Sequence, residues 1–202
     1  MAKKSELTRE RIFEAAISCF ENFGYKKTSI DEIAQSAGVG RGTVYLYFKD
    51  KDDLFLEILK HKTGELLEAA MIGVYEANDT IGGLVRMAHN IINSLDKDPL
   101  VFNAFRNARE FGIPHLMPQL GELVSSGIAL KEKVILEGIE KGDIKQVNAR
   151  AVAFVLNVGF ESFYLTQKSE ALGMSSDEYL EFWERLLREG IAADLQNVNN
   201  HE

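Results

Sequence analysis

The chain has 202 residues, 46% hydrophobic and 27% charged, with a formal net charge of −8. That length and balance suit a globular protein with a sizeable core and exclude a disordered chain, apart from the polar stretch 196–202. The single cysteine, Cys19, excludes an internal disulfide and fits a reducing cytoplasm; no run of about 18 apolar residues offers a membrane span or secretion signal. The acidity is uneven. Residues 1–62 hold 11 basic and 10 acidic side chains, and the remaining 140 hold 12 and 21. The first third is therefore near neutral, and its cations remain able to meet phosphate while the acidic remainder favours solubility.

In chain order, Phe13, Ala16, Ile17, Phe20 and Phe23 repeat at helical spacing, and Gly24 stops that helix. Ser29 and Glu32, three apart, form a capping-box pattern that opens a second helix with Ile30, Ile33, Ala34 and Ala37 on one face. Gly38 ends it. Helical periodicity then predicts helices over 54–75, 81–95, 99–111, 116–141, 148–171 and 177–195, separated by Asn78-Asp79, Asp98-Pro99, Gly112 with Pro114, Gly142-Asp143 and Gly173. No segment alternates with period two. The expected fold is all-α with about nine helices: a helix-turn-helix domain over 1–50 and a larger helical domain over 51–202.

The stretch Gly38-Val39-Gly40-Arg41-Gly42-Thr43 has two competing readings. As a nucleotide-binding glycine loop it fails on context: a helix precedes it where a strand is needed, and Gly42-Thr43 lacks the P-loop lysine. What remains is helix, tight turn, helix, with a recognition helix over about 41–48. At 100° per residue Val44 and Phe48 share the inward face and Leu46 lies opposite. Leu46 is then placed to touch a thymine methyl, and Arg41 to donate to a guanine edge. Gly42 permits close backbone approach.

These residues resemble the TetR/AcrR family of transcriptional regulators. The resemblance is carried by Phe20 to Gly24-Tyr25, Thr28-Ser29-Ile30, Ile33-Ala34, Ala37-Gly38-Val39, Gly42-Thr43-Val44-Tyr45-Leu46-Tyr47-Phe48-Lys49 and Lys51-Asp52-Asp53-Leu54. It covers residues 8 to about 60; beyond them only length and helical pattern match. It implies a DNA-binding set of Thr28, Gly40, Arg41, Gly42, Thr43, Tyr45, Leu46, Tyr47 and Lys49, with Thr28, Tyr45, Tyr47 and Lys49 as phosphate donors. Gly40 departs from the family's usual Ser or Thr, which would cap the recognition helix.

Regulators of this kind read two half-sites as dimers. The resemblance implies a four-helix dimer bundle built from two apolar stripes: Val152, Val155, Leu156, Gly159, Phe160 and Phe163, and Tyr179, Phe182, Trp183, Leu186, Leu187, Gly190 and Ile191. Pattern alone fits monomer core equally well. An effector pocket is expected around Phe102, Phe105, Arg106, Arg109, His115 and Met117, where apolar and cationic side chains mix. The effector would be small and apolar or amphipathic, and the segment 42–55 also looks like a subgroup that responds to acyl-CoA. The histidines at 61, 89, 115 and 201 lack metal-ligand spacing, and no catalytic constellation, metal or cofactor is expected. The expected function is a cytoplasmic, homodimeric repressor released from a palindromic operator by its effector. The alternative is a helical carrier or enzyme with a vestigial helix-turn-helix.

Overall fold

The computed structural model describes residues 2–104, 116–167 and 173–192. Among these residues all regular structure is helical, except one isolated antiparallel bridge between Ile144 and Ala192. The helices are α1 (Ala2–Lys27), α2 (Ile30–Ala37), α3 (Arg41–Tyr45), α4 (Lys51–Tyr75), α5 (Thr80–Lys97), α6 (Met117–Lys141), α7 (Ala149–Gln167) and α8 (Ser176–Ile191). Residues 100–104 are also helical. The chain divides into two compact units: 2–64 with 98–104 and 116–120, and 65–97 with 121–167 and 173–192. The sequence places a boundary after residue 50. In the structure α4 begins in the first unit and continues into the second.

In the first unit, α1 buries Ile12, Ala16, Cys19 and Phe20. Phe23, expected on the same face, is instead 60% exposed. It lies a full turn beyond Cys19 at the end of the regular spiral. Gly24 breaks that spiral with φ 77° and ψ 161°, a conformation nearly closed to other residues. Ser29 caps α2 as expected: its hydroxyl accepts from the Glu32 N–H at 3.2 Å, and the Glu32 carboxylate accepts from the Ser29 N–H at 2.7 Å. Gly38 ends α2 in the left-handed region at φ 65°, and the Val39 N–H closes the helix by donating to Ala34 O at 2.9 Å. The Arg11 guanidinium donates to the Ala37 carbonyl.

Helix α4 starts three residues earlier than periodicity predicts. Polar side chains cap it: Asp50 accepts from the Asp53 N–H at 2.8 Å, and Asp53 from the Lys49 N–H at 3.0 Å. Leu54, Ile58 and Leu59 are fully buried. Each such side chain contributes about 1.5–3 kcal/mol relative to exposure. The Lys51 ammonium donates to the carbonyls of Tyr25 (2.9 Å) and Thr28 (3.0 Å) and lies 4.3 Å from the centre of the Tyr25 ring. The start of α4 is thus tied to the α1–α2 junction.

In the second unit, α5 buries Ile81, Leu84, Met87, Ile91, Ile92 and Leu95 at helical spacing. Its first residue, Thr80, donates both N–H and hydroxyl to Asp143, at 3.2 and 2.8 Å. The Arg188 guanidinium on α8 donates to Asp79 just ahead of α5. Tyr164 on α7 is fully buried and donates to Asp96 at 2.9 Å. A second capping box, Ser175 with Glu178, opens α8.

Candidate nucleic-acid interface

Helices α2 and α3 with the turn 38–40 form the helix-turn-helix. Helix α3 is shorter than the expected 41–48: the regular helix spans Arg41–Tyr45. The chain still winds on, with Leu46 N–H donating to Thr43 O at 3.2 Å and Phe48 N–H to Val44 O at 3.0 Å. Val44 and Phe48 are buried, and Leu46 is 81% exposed. An apolar side chain held this far into solvent on a short, anchored helix is suited to a groove contact.

Gly40 precedes α3 with extended backbone and contributes no side-chain cap. Gly42 is exposed, with open space where a Cβ would stand. Thr43 and Tyr47 are half-buried, and Tyr45 and Lys49 exposed. The Arg41 guanidinium donates to Asp31 at 2.9 Å and to the Tyr45 hydroxyl at 3.3 Å, and lies 5.6 Å from the centre of the Tyr45 ring. The Tyr45 hydroxyl, and then Asp31, push the Arg41 pKa above its ordinary value. Both partners of the ion pair are well exposed, so it orients the guanidinium while holding it only weakly. Neither Asp31 nor Ser5, whose hydroxyl lies 3.1 Å from the Tyr47 hydroxyl, stands out in the sequence. Asp31 sits ten residues before Arg41, and only the turn brings them together.

Thr28 is corrected. Its side chain is buried, and its hydroxyl donates to the carbonyls of Cys19 (3.1 Å) and Gly24 (2.9 Å). In this conformation it closes the end of α1 and is not presented to phosphate.

The two stripes read as one interface separate into different environments. Phe163, Tyr179 and Leu187 are core, with the Phe163 and Tyr179 rings stacked at 3.8 Å. Leu156, Phe160 and Trp183 line a cavity within the second unit. Gly159 packs against Trp183, where a Cβ would come within 2.7 Å of the indole. Val152 and Ile191 are half-buried and Gly190 exposed. Val155, Phe182 and Leu186 are exposed, as are Phe154 and Val158, which the stripe reading passed over. Of the expected pocket residues, Phe102 is half-buried and Met117 exposed; Phe105, Arg106, Arg109 and His115 lie outside the described residues. Among the described residues no group of three or more His, Cys, Asp or Glu could hold a metal, and no helix is long and apolar enough to cross a membrane.

Residues 12–58 match the family model described as bacterial regulatory proteins, tetR family. The HTH-type transcriptional regulator YhgD of Bacillus subtilis is 29% identical over 148 residues, 73% of this chain and 78% of that protein. The fatty acid metabolism regulator protein of the same organism is 27% identical over 139 residues, 67% and 70% of the two chains. Two solved structures show the same fold. A TetR transcriptional regulator from Chloroflexus aurantiacus superposes with a TM-score of 0.77 at 18% identity, over 95% of this chain and all of that one. The regulator FadR from Bacillus subtilis, in complex with stearoyl-CoA, gives 0.68 at 22% identity, over 88% and 96%. Residues 12–58 are thus a helix-turn-helix of the tetR family of bacterial regulatory proteins, and the chain as a whole, all-α among the described residues, is similar to TetR-family transcriptional regulators.

Proposed function

We propose that the protein is a homodimeric repressor that holds a two-fold symmetric operator and is released by a small amphipathic effector. The outward face of α3 carries the reading: Leu46 exposed at 81%, flanked by Tyr45 and preceded by an oriented Arg41. Leu46 and Arg41 read base edges; Thr43, Tyr45, Tyr47 and Lys49 donate to phosphates, and Gly40 and Gly42 let the backbone approach. One such helix reads only a few base pairs, so a second copy is needed for a full site.

Exposed apolar side chains on α7 and α8 support dimerisation through Phe154, Val155, Val158, Phe182 and Leu186. Five large apolar groups in water on two helices that stack through Phe163 and Tyr179 fit a surface that a partner covers. For the effector, the fatty acid metabolism regulator and the FadR complex with stearoyl-CoA favour an acyl-CoA-like molecule. Release requires only that the effector bind better to the conformer whose recognition helices are wrongly spaced.

Selection of bound duplexes from a random DNA pool at fixed salt tests the proposal. Enrichment of a palindrome, lost in Arg41→Ala and Leu46→Asp variants and released by long-chain acyl-CoA, is the expected outcome. Salt-sensitive binding with no enriched sequence would overturn it.

A further inference from the structure

The Arg41 side chain is fastened at two points. Nη1 donates to the Asp31 carboxylate at 2.9 Å, and Nη2 to the Tyr45 hydroxyl at 3.3 Å. The centre of the Tyr45 ring lies 5.6 Å from Cζ. A guanidinium has five N–H donors in one fixed plane, and these contacts use two of them. The other donors stay available in an orientation that is already set. Stability explains little of where Asp31 sits. Its side chain is 63% exposed and that of Arg41 59%, and so open a pair contributes little to folding. Glu32, the next residue, already brings negative charge to the first turn of α2 and completes its capping box. On a surface that meets DNA a carboxylate also repels phosphate. Asp31 bonds instead to the arginine at the head of α3.

We propose that Asp31 is a positioning residue that sets sequence preference: it touches no base, and it holds Arg41 toward a base edge and away from phosphate. The inference rests on the reading of Arg41 given above. With Asp31 in place, Arg41 meets DNA already ordered and with its charge partly matched. A phosphate then competes poorly for it, while a guanine edge can still take the free donors. Without the carboxylate the guanidinium swings freely and takes phosphate contacts, which carry no sequence information. Asp31 thus lowers affinity for any duplex and raises the preference for the right one.

The test uses the full chain, its Asp31→Asn, Asp31→Glu and Arg41→Ala variants, and the Asp31→Asn/Arg41→Ala double variant. Each is titrated, at several stated salt concentrations, with the duplex enriched from the random pool, with that duplex changed at single base pairs, and with an unrelated duplex. Asp31→Asn is expected to bind the unrelated duplex more tightly, with a salt slope steeper by about one. It should lose about 2- to 5-fold in discrimination at the base pair that Arg41→Ala relaxes. Asp31→Glu keeps the charge and should retain most of the preference. With Arg41 already replaced, Asp31→Asn should change discrimination no further. A purely structural role would move none of these differences and would show only in the urea midpoint. If Asp31→Asn keeps full discrimination while Arg41→Ala loses it, the inference about Asp31 is overturned and the Arg41 reading stands. A loss that persists in the Arg41→Ala background overturns it too, and makes Asp31 a direct reader of the cytosine amino group. If no duplex is enriched, or Arg41→Ala keeps the preference of the parent, both readings fall.

Discussion

Replacing Lys131 with methionine should stabilise the protein at neutral pH. Burial pushes the Lys131 amine from 10.5 down to about 8. That displacement corresponds to about 3 kcal/mol by which the folded state disfavours the charged form. Below pH 8 both folded and unfolded chains hold the proton, and the folded state bears the whole cost. Between about 8 and 10.5 the unfolded chain binds more protons, so stability rises with pH and levels off above 10.5. Tyr179, which lines the same second-unit cavity as Lys131, is pushed up to about 12, mainly by burial and partly opposed by the Trp183 N–H beside it. It stays neutral throughout that window. Methionine removes the buried charge at similar volume but forfeits the bond to Asn157, which costs about 1–2 kcal/mol. A net gain of about 1–2 kcal/mol at pH 7 is expected, from the difference between these terms. The assay is urea unfolding of both proteins at pH 7 and pH 10. The parent should gain about 2–3 kcal/mol on the variant between the two pH values. An unchanged gap at both pH values would refute the reasoning.

Other predictions concern the first unit and the α7–α8 surface. Thr28→Val should lower stability by about 1–2 kcal/mol in urea unfolding, because two carbonyls lose a buried donor, while the salt dependence of DNA binding stays as it was. A reduced salt slope would return Thr28 to the phosphate contacts. Lys49→Ala should do the reverse: stability near that of the parent, with weaker binding to all duplexes and a slope lower by about one. Gly38→Ala places a Cβ at φ 65° and 3.0 Å from the Arg11 guanidinium. It should cost about 1 kcal/mol or more, read from the unfolding midpoint. Val155→Arg with Phe182→Asp should convert a dimer to a folded monomer in sedimentation, with unchanged helical circular dichroism. A dimer that survives both changes would move the interface elsewhere.

The fold was legible wherever a helix has one wet and one dry face. In α2 and α5 the periodic apolar residues are the buried ones, and Ser29 with Glu32 marks a true start. The same signal is present at Ser175 with Glu178, yet periodicity places the start of α8 one residue late, at 177, because its apolar stripe begins only at Tyr179. Helix α7 was harder. It is apolar nearly all round, so periodicity could not separate Phe163, which is buried, from Phe154 and Val155, which are not. In the candidate interface, Leu46 could be placed by angle alone, since Val44 and Phe48 fix the inward side. Thr28 could not: a hydroxyl ahead of a helix serves equally as a phosphate donor or as a plug for the preceding turn, and only the break at Gly24 decides between them. Lys131 left no trace, because a lysine within a helix reads as solvated unless its neighbours are known.

Cys19 gives the molecule an internal clock. Its side chain is buried in the first unit, and burial pushes the thiol above its ordinary pKa of 9.0. The folded thiol is therefore shielded from alkylating reagents and is also a poor nucleophile. Labelling then proceeds through openings of α1, and its rate measures how often the helix-turn-helix support comes apart. Since this is the chain's one cysteine, mass spectrometry can follow that rate in the unmodified protein, with and without DNA.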